Sequence, residues 1–65
     1  MTRRLSGREK QILRLTLDGN GSEAIARSLG ISQGTAKNYI SNAIRKTGEP
    51  TALEAAEKAR REGEL

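Results

Sequence analysis

Cysteine and histidine are both absent from the 65 residues. The chain therefore has no disulfide, no thiolate nucleophile, no imidazole base and no nitrogen or sulfur ligand for a metal. Its acids are scattered, and the sequence contains no phosphate-binding loop and no pairing of a nucleophile with a base. We therefore expect neither an enzyme nor a cofactor.

Large aromatic residues and long apolar runs are scarce as well. Tyr39 is the one aromatic residue, since tryptophan and phenylalanine are missing. The core must then be built from Leu, Ile and Ala, which suits helices packed closely together. No apolar run approaches the ~20 residues of a membrane span, and none resembles a signal peptide. We expect one small, soluble, cytoplasmic domain that does not contact a membrane.

Positive charge is concentrated in the first part of the chain. Residues 1–50 carry nine Lys or Arg and four Asp or Glu, a net charge of +5, whereas residues 51–65 carry three and four, a net charge of −1. A basic surface of this kind favours an anionic partner such as nucleic acid. We expect residues 1–4 to form a basic N-terminal arm and residues 5–65 to form the domain.

The first helix begins at a capping box. Ser6 and Glu9 have the S-x-x-E spacing in which each side chain bonds the backbone of the other residue, and the run 19–21, Gly-Asn-Gly, ends the helix. Glu9 also lies within the apolar stripe of this helix. A carboxylate in that position needs a fixed partner, either a basic side chain or backbone N–H groups.

A second, short helix and a tight turn follow. Asn20 or Ser22 is expected to cap this helix, and Gly30 is expected to end it in the left-handed conformation. Ser32 then caps a third helix. Two helices joined by a turn of three or four residues that contains Gly form a helix-turn-helix, whose second helix lies against DNA.

The third helix, residues 32–47, has two unlike faces. Its apolar stripe consists of Ala36, Ile40, Ala43 and Ile44, the spacing of a helix that faces a core. Its polar face contains no acid and consists of Gly34, Lys37, Asn38, Ser41, Asn42 and Arg45. This row of hydrogen-bond donors suits base edges and the phosphates beside them.

A fourth helix opens at Thr51, which forms a further capping box with Glu54. Its apolar stripe is made of small residues, Ala52, Ala55, Ala56 and Ala59. The pairs Glu54–Lys58 and Glu57–Arg61 have the spacing of ion pairs along the outer face. A stripe of alanines lets another backbone come close, and that backbone belongs either to the first helix of the same domain or to a second copy of the chain.

The order of these signals resembles the LuxR-type helix-turn-helix domain found in NarL/FixJ response regulators, in quorum-sensing regulators and in GerE-like proteins. The likeness covers residues 5 to about 60. It is carried by the segments 5–9, 12–13, 25–26, 31–32 and 35–42, together with Gly19, Leu29, Lys46, Gly48, Glu54 and Ala55. The tail from Ala59 to Leu65 looks like that of DesR-type response regulators, which often have Trp where Glu64 stands.

The resemblance implies an all-α, four-helix domain that binds double-stranded DNA as the output module of a transcription regulator. Its third helix would enter the major groove, and its fourth would pair two copies on a two-fold site through Ala52, Ala55, Ala56 and Ala59. The base-contact positions of the family fall on Lys37, Asn38 and Ser41. Its phosphate-contact positions fall on Ser32, Thr35, Tyr39 and Lys46, and Gln33, near the helix start, is added to them. A contact with RNA polymerase is a further expectation.

Three departures from the family pattern affect this assignment. Gly34 replaces a longer, often basic residue, Tyr39 stands where His is common, and Gly21 replaces the usual Ser before the second helix. Two other functions fit parts of the sequence. The helix-turn-helix is also found in recombinases and in sigma-factor-like proteins, and the alanine stripe with its flanking charges is compatible with a module that binds a partner helix.

Overall fold

A computed structural model describes residues 4–65 and shows four α-helices in that range. They are α1 (Gly7–Leu17), α2 (Ser22–Leu29), α3 (Gln33–Thr47) and α4 (Ala52–Arg61). The all-α, four-helix fold expected from the sequence is confirmed. Residues 1–3 of the predicted basic arm lie outside the described residues, and Arg4 is exposed.

The caps expected at Ser6, Ser32 and Thr51 are confirmed. Both bonds of the capping box are formed at α1, whereas α4 has the Thr51 side-chain cap without the reciprocal bond from the Thr51 N–H to Glu54. At α1 the Ser6 N–H donates to Glu9 Oε1 over 2.8 Å, and the Glu9 N–H donates to Ser6 Oγ over 3.1 Å. Ser32 Oγ accepts from the Thr35 N–H at α3, and Thr51 Oγ1 accepts from the Glu54 N–H at α4. The helices therefore begin where side chains satisfy N–H groups that have no partner within the helix.

The cap expected at α2 is wrong. The N-cap residue is Gly21, and no side chain accepts a hydrogen bond there. The Asn20 side chain bonds to α1 instead of α2: its amide donates to the Leu15 carbonyl over 2.9 Å, at the C-terminal end of α1. Ser22 is the first residue of α2, and its hydroxyl accepts instead from the amide of Gln33 over 3.3 Å.

Two adjoining clusters of side chains form the core, and α1 and α3 contribute to both. One cluster fills the space between α1, α3 and α4 and contains Leu5, Leu13, Ala43, Ala55, Ala56 and Ala59. The other, called the α2–α3 cluster below, joins α1 to α2 and the first half of α3 and contains Ile12, Ile25, Ala26 and Ala36. Helix α3 is thus held along its length, by α2 at its start and by α4 towards its end.

The alanine stripe of α4 belongs to this core. Ala55, Ala56 and Ala59 are fully buried within the chain, and Ala52 is half-buried. Three of the four residues expected at a dimer interface therefore have no surface to offer a second copy, and their assignment is corrected. The helices that pack closely against these alanines are α1 and α3 of the same domain.

The two ends of the described chain meet beside this cluster. The Leu5 N–H donates to Glu64 Oε1 over 3.3 Å, and Leu65 packs against the cluster that contains Leu5. The turn Glu62–Glu64 after α4 therefore folds back onto the start of α1.

Candidate nucleic-acid interface

The turn between α2 and α3 fixes the angle at which α3 projects. Gly30 has φ 68° and ends α2 in the left-handed conformation, which glycine adopts without steric cost. Ile31 packs against the α2–α3 cluster, and Ser32 caps α3. Residues 30–32 are thus the three-residue turn of a helix-turn-helix.

The start of α3 carries exposed polar groups that are held in place. The hydroxyls of Ser32 and Thr35 lie 2.8 Å apart, and the same Ser32 oxygen accepts from the Thr35 N–H over 3.1 Å. Gln33 is tied to Ser22 at the start of α2. Because these side chains already have local partners, a ligand at this end would meet groups of restricted orientation.

The outward stripe of α3 is the set of exposed residues opposite its buried stripe. It consists of Gly34, Lys37, Asn38, Ser41, Asn42 and Arg45. The residues predicted to contact bases, Lys37, Asn38 and Ser41, all lie in it. The structure therefore brings the three candidates to one surface.

The remaining predicted contacts are placed less uniformly. Ser32, Gln33 and Thr35 are exposed beside the outward stripe, whereas Tyr39 is half-buried and packs against the α2–α3 cluster. Lys46 lies apart from the stripe. It is half-buried on the side of α3 that turns towards α1.

Lys46 is the counter-ion of Glu9. Its Nζ lies 2.7 Å from Glu9 Oε1, and the Glu9 side chain is 4% exposed. Burial by itself raises the pKa of Glu9, but the hydrogen bonds from Lys46 and Ser6 outweigh burial, so the pKa lies below its ordinary value. Glu9 thus has both kinds of partner that its sequence position required. Lys46, predicted to contact a phosphate, therefore has a carboxylate partner within the domain, while its side chain keeps 28% exposure.

A second lysine holds the carboxyl end of α3. Lys58 Nζ donates to the Thr47 carbonyl over 2.7 Å and lies 3.9 Å from Glu49 Oε1. The ion pairs expected at Glu54–Lys58 and Glu57–Arg61 are not among those formed by residues 4–65. Lys58 therefore joins α4 to the end of α3 instead of lying along the outer face of α4.

The charge on this side of the molecule is positive. Residues 22–47 contain four basic residues and one acid, a net charge of +3. That acid, Glu23, is paired with Arg27 over 3.3 Å. Glu9 is paired with Lys46 of α3, and Glu49, two residues after α3, is paired with Lys58. Helix α3 itself contains no acidic residue. An anion that approaches the outward stripe therefore meets no carboxylate from this helix.

Metal-binding clusters and membrane-spanning helices are both missing from the described part of the chain. No group of three or more His, Cys, Asp or Glu residues among residues 4–65 has the arrangement of a metal site. No helix in the same range is long and apolar enough to cross a membrane.

A helix-turn-helix domain with an exposed, donor-rich recognition helix is a DNA-binding module. The model of the family of bacterial regulatory proteins of the luxR type, named GerE, matches residues 3–59. The chain belongs to this family, and it is the DNA-binding helix-turn-helix domain of a LuxR-type transcription regulator rather than an enzyme.

Individual relatives agree with this assignment. The chain is 37% identical to the transcriptional regulatory protein DesR of Bacillus subtilis over 91% of its own length and 30% of that protein. It is 36% identical to the spore germination protein GerE of B. subtilis over 94% of its length and 82% of that protein. A solved structure of the transcription factor GerE superposes with a TM-score of 0.87 at 36% identity, covering 97% of this chain and 94% of that one.

The relatives differ in length. The chain spans 30% of DesR and 23% of the transcriptional activator RamA of Corynebacterium glutamicum, to which it is 38% identical. The shared part is therefore the DNA-binding domain.

Proposed function

We propose that this chain binds double-stranded DNA in a sequence-specific manner and acts as the output domain of a bacterial-type transcription regulator, with α3 in the major groove. The observation that carries the proposal is the outward stripe of α3, which has donors along its whole length and no acid. An α-helix fits the major groove of B-DNA, and amide and basic side chains recognise base edges there.

Asn38 is the proposed principal reader of sequence. Its amide can pair with adenine through N6 and N7, and it is exposed at the centre of the stripe. Lys37 beside it reads guanine or holds a phosphate, and the short Ser41 reaches a base through a water. Ser32, Gln33, Thr35 and Tyr39 are the proposed phosphate contacts, because they lie at the start and on one flank of α3.

Substitution of Asn38 tests the base-reading role. We expect Asn38→Ala to cost about 1–3 kcal/mol in specific binding and to relax preference at one base position. Selection of bound sites from a random DNA library, followed by sequencing, measures the preference of both proteins. Gln11→Ala is the matched control, since Gln11 is an exposed amide on α1. If Asn38→Ala kept the wild-type preference, the assignment of Asn38 would be wrong.

Binding as a homodimer on a two-fold site is the second part of the proposal. Because the alanines of α4 are buried, we place the paired surface on the outer face of that helix. Leu53 is the large apolar residue exposed there, at 50%, and Glu57 and Arg61 lie near it on the same face. In a two-fold contact each surface meets its own copy, so Glu57 of one copy is placed to face Arg61 of the other.

A charge at Leu53 tests this interface. Leu53→Glu should keep the chain monomeric on DNA that contains two half-sites, with the mass of the complex measured by sedimentation. Gln11→Glu adds the same charge on α1 and should leave the wild-type mass unchanged. Sedimentation of Leu53→Glu as the wild-type complex would exclude the outer face of α4 as the interface.

A helical protein-interaction module is the competing function, and a salt titration separates the two. DNA binding should weaken steeply as salt rises, because each phosphate contact releases counter-ions. The alanine stripe that suggested a partner helix is buried in the domain, which removes the main support for this alternative. A contact with RNA polymerase remains part of the proposed role as a transcription regulator.

A further inference from the structure

Arg45 and Lys46 are adjacent in sequence, but the fold gives them different surroundings. Lys46 is turned inward, with its Nζ 2.7 Å from Glu9. Arg45 is exposed, and its Nη2 donates to Asn42 Oδ1 over 3.0 Å. None of the ion pairs formed by residues 4–65 includes Arg45. Arg45 is therefore an exposed cation at this end of α3 that no carboxylate of residues 4–65 neutralises.

Arg45 ends the same stripe that contains the proposed base readers. It follows Ser41 by four residues and Asn38 by seven, spacings that place side chains on one side of a helix. It follows Gly34 by eleven residues, which is about 16 Å along the helix axis. The major groove is about 12 Å wide. If the first turns of α3 lie at base edges, Arg45 therefore stands at the edge of the groove, where the phosphates are.

We propose that Arg45 binds a backbone phosphate at the edge of the major groove and that Asn42 positions it. A guanidinium has five N–H donors in a planar fork. One is used by the side-chain oxygen Oδ1 of Asn42, and the others remain for the oxygens of a phosphate, which a guanidinium can bind through two parallel hydrogen bonds. This assignment rests on the proposed DNA-binding function.

Removal of the charge at Arg45 tests the contact. The matched control is Arg14→Gln, because Arg14 is also an exposed arginine in the last turn of its helix. Affinities of the wild type, Arg45→Gln and Arg14→Gln are measured for a selected site and for an unrelated duplex between 50 and 200 mM salt. Circular dichroism checks that each variant has the helix content of the wild type.

We expect Arg45→Gln to weaken binding to both duplexes alike. Loss of one phosphate contact makes the negative slope of log affinity against log salt shallower by about 0.9. Across a fourfold change in salt, the ratio of wild-type to Arg45→Gln affinity should then shrink about 3.5-fold. Arg45→Lys should keep most of the wild-type salt slope. Asn42→Ala should lower the DNA affinity of the otherwise wild-type chain, and it should lower the affinity less when Arg45 is already replaced by Gln.

Two results would overturn the inference. One is a salt slope and affinity for Arg45→Gln that equal those of Arg14→Gln. The other is a loss confined to one base position, which would make Arg45 a base reader. Failure of the wild-type chain itself to bind duplex DNA with a salt dependence would instead refute the proposed function, so the two failures are distinguishable.

Discussion

Helices α3 and α4 both carry small residues at helical spacing, and these residues face different surroundings. Gly34 and Ser41 of α3 are exposed, whereas Ala55, Ala56 and Ala59 of α4 are fully buried against α1 and α3. In α4 the small side chains allow a neighbouring helix to approach, and in α3 they leave room for a ligand. Small residues at helical spacing therefore indicate a close approach without identifying the partner.

The largest effect on stability is expected from a charge placed on the buried face of α4. Ala56→Glu places a carboxylate at a fully buried position, and an unpaired buried charge of this kind should cost more than about 4 kcal/mol. A domain of this size has only about 3–10 kcal/mol of stability. Urea unfolding followed by circular dichroism should show little or no folded Ala56→Glu.

Leu53→Glu is the matched variant three residues earlier on the exposed side. Because Leu53 is 50% exposed, its substitution should change the free energy of unfolding by no more than about 0.5 kcal/mol. Equal stabilities for Ala56→Glu and Leu53→Glu would contradict the division of α4 into a buried and an outer face.

A smaller effect is expected at the inward side of α3. Lys46→Ala leaves Glu9 buried without its counter-ion, and a buried acceptor that loses a charged partner costs about 1–3 kcal/mol. The free energy of unfolding at pH 7 measures this loss. Lys10→Ala is the control, because Lys10 is absent from the ion pairs formed by residues 4–65. A loss no greater than that of Lys10→Ala would show that the ion pair adds nothing.

The pH dependence of the same variant sharpens the test. The pKa of Glu9 is lowered in the folded state from an ordinary value of 4.5. Its ion pair therefore stabilises the fold above about pH 4.5, and this stabilisation is lost as the pH falls through the lower folded-state pKa. The difference between the wild type and Lys46→Ala should shrink on acidification below pH 4.5. A difference that stayed constant down to pH 3 would contradict the role of Glu9 ionisation.

The smallest effect concerns the exposed stripe of α3. A Cβ at Gly34 would meet only Ser32 Oγ, at 4.0 Å, so Gly34→Ala should stabilise the fold by about 0.5–1 kcal/mol. Gly7→Ala, in the first turn of α1, is the control and should stabilise similarly, since nothing lies within 4 Å of its Cβ position.

The two glycine variants should differ in DNA binding. Gly34→Ala should weaken binding, because a methyl group would stand between the α3 backbone and DNA, whereas Gly7→Ala should bind as the wild type does. Unchanged binding by Gly34→Ala, measured by fluorescence anisotropy, would show that this backbone does not approach the duplex.

The helices, their caps and the exposed face of α3 could be predicted from the sequence because each depends on residues close together in the chain. Ser6, Ser32 and Thr51 cap a turn that lies within three residues of them. Gly21 is the exception. The order of residues did not show that Asn20 would bond back to Leu15.

Contacts between helices could not be predicted in the same way. The position of Glu9 in the apolar stripe of α1 predicted that its carboxylate needs a partner. That partner, Lys46, is 37 residues away, and sequence spacing alone does not identify which basic side chain it is. The position of Lys46 on α3, turned about 100° from Arg45, was the available signal that it points away from the outward stripe. Likewise, the burial of Ala56 depends on which helix packs against α4.

The bond between the Leu5 backbone and the Glu64 side chain has a topological consequence. Because the two ends of the domain lie side by side, a short linker could join them without disturbing the helices, and new ends could be opened in the exposed turn at Gly19 and Gly21. In such a circular permutant α3 would follow α2 as before, while α1 would follow α4. The helix-turn-helix does not depend on where the polypeptide starts, so the domain is suited to attachment of partner sequences at more than one point.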